Sequence, residues 1–169
     1  MQNEVLQAIY QRRSIREFSA QAVGDELLRE VLKAASWAPS GLNNQPWRFA
    51  VIRDSKVRAQ MAQLTRYGAV IENAPVAIGV FLDRDVVYNE TKDIQAVGAS
   101  LQNMLLAAHA QGLGAVWLGE ILKNREKVLK ILSLPPNLEL MAIVAMGHPA
   151  HHNQTSQRKS LEELIVKEI

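Results

Sequence analysis

The chain has 169 residues, 48% of them hydrophobic and 21% charged, with 19 Lys plus Arg against 17 Asp plus Glu. That length suits one domain with a full core, and the composition excludes a disordered chain, a collagen and a coiled-coil rod. Cysteine is absent, which removes disulfides, a thiolate nucleophile and Cys-ligated metal clusters, and a net charge of +2 is no nucleic-acid footprint.

The first thirty residues carry Arg12, Arg13, Arg16 and five acids, with no apolar run of signal-peptide length, so a cytoplasmic protein is expected. Val5, Leu6 and Ile9 fall on one face of a helix over 2–12. The segment Arg12-Arg13-Ser14-Ile15-Arg16-Glu17-Phe18 follows. Asp25 is the expected N-cap of a helix bearing Leu27, Leu28, Val31, Leu32 and Ala35, which Pro39 ends. A polar loop then runs from Ser40 to Pro46. Trp47–Ile52 reads as a strand, 55–65 as a helix, and Val76–Leu82 as a buried strand, with Asp83–Glu90 a polar connection.

Between Asp93 and Glu120 there is no charged side chain. A membrane span needs about 20 mainly apolar residues. Here Gln95, Ser100, Gln102, Asn103, His109 and Gln111 interrupt the run and Gly112 and Gly114 break it, so a buried helix over 91–111 followed by a strand over 115–118 is expected. Ile94, Val97, Leu101, Leu105 and Ala108 form one apolar face of that helix. Ala96, Ser100, Asn103, Ala107 and Ala110 form a small-residue face open to a second helix, of this chain or of another subunit. An amphipathic helix over 123–132 ends at Pro135-Pro136, and Leu138–Met146 is the last strand. Five helices and four strands, intermixed but without regular crossovers, indicate α+β. The tail after Gly147-His148-Pro149 ends in Leu161, Leu164, Ile165 and Val166, which need a surface to cover.

Gly112-Leu113-Gly114 lacks the third glycine of a dinucleotide fingerprint and precedes a strand, which excludes that site. His148, His151 and His152 have no acid or Cys nearby to complete a metal set, so no metal is expected. His109 reads as a satisfied core histidine. The cluster Arg12, Arg13, Ser14 and Arg16 reads equally as a phosphate clamp or a solvated charged turn, and Arg158-Lys159 carries charge suited to the same anion. A small ligand fits better than nucleic acid, because no aromatics interleave the basic run. The loop Pro39-Ser40-Gly41-Leu42-Asn43-Asn44-Gln45 is rich in amides that suit a flat heterocycle.

The segments 12–18, 38–47, 112–119 and the tail with Gly147-His148-Pro149 and Arg158-Lys159 together resemble the nitroreductase family of flavoproteins, in the family's order and over essentially the whole chain. The resemblance implies a single 1–169 FMN-binding domain of α+β sandwich type, with a mostly antiparallel sheet flanked by helices. It also implies a homodimer with two FMN sites at its interface and exchanged C-terminal segments, residues 148–169 packing on the partner. Arg12, Arg13 and Ser14 would hold the phosphate and ribityl end with Arg158 and Lys159, and Arg16 would meet the pyrimidine edge. Pro39, Ser40, Gly41, Asn43 and Gln45 would approach from the other subunit, and the backbone of Trp117, Leu118 and Gly119 would line the ring near N5. The implied activity is ping-pong transfer from NAD(P)H through flavin N5 to a small acceptor such as a nitroaromatic or quinone, with no protein acid or base as catalyst. An oxidase or dehalogenase-type reaction and a non-enzymatic FMN-holding role remain open.

Overall fold

Eight consecutive residues, Val76–Asp83, are buried at every position. In the computed structural model, which describes residues 3–169, they form the inner strand β2 of a four-stranded sheet with β1 (Trp47–Ile52), β3 (Gly114–Leu118) and β4 (Leu138–Gly147). The order is β1-β2-β4-β3 and every pairing is antiparallel. Because strand side chains alternate between faces, β2 serves two cores. Val76, Ile78, Val80 and Leu82 pack under α2 (Asp25–Ser36) and α5 (Glu90–Ala110). Ala77 and Phe81 pack on the opposite face, with α3 (Ser55–Ala62), α4 (Gly68–Asn73) and α6 (Arg125–Leu132). The result is a three-layer α+β sandwich. Each fully buried Leu or Ile in it contributes about 1.5–3 kcal/mol.

Several local expectations need correction. Gly24, not Asp25, is the N-cap of α2; Asp25 is the first helical residue and pairs with Arg53 at 2.7 Å. The helix expected over 55–65 stops at Ala62, and α4 follows as a separate element. The small-residue face of α5 meets α2 of the same chain over part of its length: Ala96 shares a core with Leu28, Val31 and Ala35, and Asn103 Nδ2 donates to Ala34 O at 3.2 Å, while Ala110 is exposed. Ile94 belongs to no core and is 40% exposed.

The chain leaves other apolar surface open. The helix α1 (Glu4–Gln11) is capped by Asn3, whose side chain accepts from Val5 N and Leu6 N, yet none of its residues is buried. The tail ends in a single turn, α7 (Leu161–Leu164), whose Leu161, Leu164 and Ile165 are all exposed. Among the described residues no helix is long and apolar enough to cross a membrane.

Candidate functional site

The segment after α1 is held along the outer edge of β3. Arg12 leaves the helix in an extended conformation. Ser14 forms a parallel bridge with Ala115, Ile15 N donates to Ala115 O at 3.1 Å, and Phe18 bridges Pro149. Glycine is required opposite this segment, since a Cβ on Gly114 would lie 2.7 Å from Ile15 Cβ. The parallel direction carries Arg16 toward the Trp117 end of β3.

This edge gathers the cations. Arg12, Arg13, Ser14 and Arg16 line a depression of about 340 Å³ with the tail residues Thr155, Ser156 and Arg158. Arg13 is tethered by donation to Tyr10 O at 2.7 Å and Arg12 O at 2.9 Å. The Arg12 Nε is buried without a partner among the described residues. Burial, then Arg158, then Arg13 lower the Arg12 guanidinium from its ordinary value. A guanidinium stays charged, so the shift marks a site short of negative charge. Lys159 is exposed and does not line the depression. His151 Nε2 lies 3.1 Å from Glu17 Oε2, so an acid distant in sequence does reach the tail histidines. No group of three potential ligands forms among the described residues.

The amide loop lies elsewhere. Leu42, Asn43 and Gln45 have φ of 55°, 54° and 47°, a left-handed conformation that costs about 1–2 kcal/mol per non-glycine residue and that persists where its surroundings enforce it. Ser40 Oγ accepts from Gln45 N at 3.0 Å. Gly41 abuts the Tyr88 hydroxyl so closely that any Cβ would collide with it. Asn44 Nδ2 donates to Val86 O at 3.1 Å and Asp93 Oδ1 at 2.7 Å, while Asp93 Oδ2 accepts from Tyr88 N and Asn89 N, each at 3.0 Å. Burial pushes the Asp93 carboxyl up, but the donors Asn89, Asn44 and Tyr88, helped by Lys92, outweigh it and hold it below the ordinary range. Pro39, Asn43 and Gln45 are exposed around this anchored frame.

At the end of β3, Trp117 is half-exposed, Leu118 is buried and Gly119 is exposed. The next residue, Glu120, accepts from Thr65 Oγ1 at 2.6 Å and Arg66 N at 3.1 Å and pairs with Lys123. Those partners, Lys123 first and Thr65 next, hold its carboxyl at about 2.

The structure therefore brings Arg12, Arg13, Ser14, Arg16 and Arg158 together, with Trp117–Gly119 on the neighbouring strand. It does not bring Pro39, Ser40, Gly41, Asn43 and Gln45 to them. The amide loop is bonded to Asp93 in the first turn of α5, whereas the clamp arginines share a pocket with His109 in its last turn. At 1.5 Å per residue those turns are about 24 Å apart. His109 is not a satisfied core histidine, since it is half-buried and opens onto that pocket. Asp93 and Glu120 are not among the candidates read from sequence, where their only signal is that they bound the charge-free stretch, and Asn44 stands there only as one amide of the loop.

Comparison with known proteins gives concordant matches. The profile of the Nitroreductase family matches residues 9–74 and 63–148. A crystal structure of a protein of Desulfovibrio desulfuricans provisionally named a nitroreductase, in complex with FMN, is 54% identical, with a TM-score of 0.96 over 100% of this chain and 99% of that one. A protein of Archaeoglobus fulgidus provisionally named NADH dehydrogenase/NAD(P)H nitroreductase is 39% identical over 86% of each chain. The NADH dehydrogenase of Thermus thermophilus is 32% identical over 94% of this chain and 93% of its own.

Proposed function

Because the chain belongs to the nitroreductase family, we propose that it is an FMN-dependent oxidoreductase that takes hydride from NAD(P)H and passes electrons to a small organic acceptor in a ping-pong cycle. The observation that carries this reading is the uncompensated cation cluster at the β3 edge. Arg12 and Arg13 each keep a buried Nε without a partner among the described residues, and Arg158 adds a third guanidinium. That is the chemistry a phosphate monoester needs, because guanidinium donates bidentately to phosphate oxygens.

Bound FMN would supply the ring that accepts hydride at N5 and gives electrons to the acceptor. The chain's part is to hold and bias it. Arg12, Arg13, Ser14 and Arg158 hold the phosphate, and Lys159 adds a more distant charge. Arg16 puts a cation at the pyrimidine edge, where it favours the negative charge gained on reduction. The backbone of Trp117, Leu118 and Gly119 faces the N5 side. No side chain here is assigned as a catalytic acid or base.

The length of α5 between Asp93 and His109, about 24 Å, sets the anchor of the amide loop away from the clamp's pocket and supports a homodimer with shared sites. Two copies with their α5 helices antiparallel would set Pro39, Ser40, Gly41, Asn43 and Gln45 of one against the clamp of the other. Val5, Leu6, Ile9 and Tyr10 on α1, and Leu161, Leu164 and Ile165 in the tail, are exposed apolar residues that such a dimer would cover. Residues 148–169 reaching onto the partner would account for the tail. Reconstitution with FMN under light scattering tests both parts: one FMN per chain on a dimer supports the reading, and FMN-bound monomers reject the shared site.

A further inference from the structure

Arg12, Arg13 and Gln154, which line the clamp depression, also wall a second pocket whose other residues have no part in the proposed flavin site. It lies where the end of α1, the last turn of α5, the start of β3 and the tail meet, with a volume of about 280 Å³. Its polar lining is Arg12, Arg13, His109, His152, Gln11 and Gln154, and no carboxylate lines it. The remaining wall is apolar, from Ile15, Leu105, Leu113 and Pro149. Three carbonyls of the last α5 turn, those of Ala107, Ala108 and His109, are engaged by the N–H groups of Gln111, Gly112 and Leu113. The His109 imidazole is lowered from its ordinary value by burial, then by Arg12, Arg13 and His152, so every charged or titratable group acting on it is basic.

The geometry points to a second anion site in this pocket, for a small organic carboxylate. Inorganic phosphate would leave much of the roughly 280 Å³ unfilled. A single-ring or short-chain acid uses both halves: its carboxylate meets the arginine forks and the imidazoles, and its body fills the space against Ile15, Leu105 and Leu113. The volume sits at the small end of ligand pockets, which suits one ring. The site itself does not depend on the flavin reading. Its consequence does: Arg12 and Arg13 serve both anions, so each anion weakens the other by the same factor. Binding also raises the proton affinity of His109 beside the new negative charge. Carboxylate affinity therefore rises as pH falls through the imidazole range.

Calorimetric titration of the purified protein with benzoate, at about pH 6 and about pH 8, tests this. The expected result is saturable binding of one benzoate per chain at millimolar or lower concentration, tighter at the lower pH. It should weaken roughly tenfold in His109→Gln, the loss of a charge-assisted hydrogen bond, and also weaken in His152→Gln, whose exposed position spares folding. Saturating benzoate should lower FMN affinity. Absence of saturation, or binding that is insensitive to both histidines and competes with NADH, overturns the proposal. Protein that takes up no FMN yet binds benzoate with the same histidine dependence rejects the flavin reading and keeps the pocket.

Discussion

Asn44 Nδ2 donates to Asp93 Oδ1 at 2.7 Å, joining two residues 49 positions apart. The second Asn44 amide contact goes to Val86 O, and the second Asp93 oxygen takes the N–H groups of Tyr88 and Asn89. One fully buried carboxylate thus fixes the amide loop and the 86–89 connection to the start of α5, where negative charge also suits the helix dipole. The left-handed backbone at Leu42, Asn43 and Gln45 is sustained by this anchor.

Asp93→Ala removes the acceptor of three part-buried donors, Asn44 Nδ2 and the N–H groups of Tyr88 and Asn89, of which only Asn44 keeps a second partner, Val86 O. It should cost about 3 kcal/mol in urea denaturation. It should also weaken FMN retention, because the loop loses its frame. Asp93→Asn, which keeps an acceptor oxygen, should recover part of both losses.

Acid stability should report on Glu120. Its folded carboxyl sits at about 2 against an ordinary 4.5, so it adds stability above 4.5 that is lost as pH falls through that window toward 2. The shift of Asp93 below its ordinary range acts with the same sign. Glu120→Gln should flatten the dependence of the unfolding midpoint on pH between about 4.5 and 2, measured by circular dichroism. An unchanged slope would remove Glu120 from the acid response.

The sheet was legible because its strands carry period-two or continuous apolar runs, and Trp47–Ile52 was bounded correctly by Pro46 and the charged Arg53-Asp54 turn. Helix ends were less legible. Gly24 caps α2 without a side-chain bond, so Asp25 offered the stronger signal. The break between α3 and α4 contains Thr65 and Arg66, which donate to Glu120 across 55 and 54 positions, contacts that no local pattern encodes. The clamp was readable as a run of arginines, but its convergence with Arg158 and the separation from the amide loop needed the length of α5. The small-residue face of α5 was visible, yet at Ala96 and Asn103 the helix that meets it is α2 of the same chain.

Arg12→Ala should weaken FMN binding by about 1.5–3 kcal/mol, the loss of a charge-assisted phosphate contact, measured by flavin fluorescence on titrating the apoprotein. Lys159→Ala should have a much smaller effect, since Lys159 does not line the depression. Equal losses in the two variants would indicate long-range charge in place of a clamp.

Replacing Leu161, Leu164 and Ile165 with Ser removes exposed apolar surface that a partner would cover. The triple variant should stay folded by circular dichroism, shift toward monomer in light scattering and retain less FMN. A dimer of unchanged strength would exclude the tail from the interface.

The most direct test of the proposed activity is the visible spectrum of the purified protein during anaerobic addition of NADH and then NADPH. The account predicts a flavin band that one or both donors bleach and that a quinone or nitroaromatic acceptor restores. A colourless protein that takes up no added FMN, or a flavin band that neither donor bleaches, would contradict it.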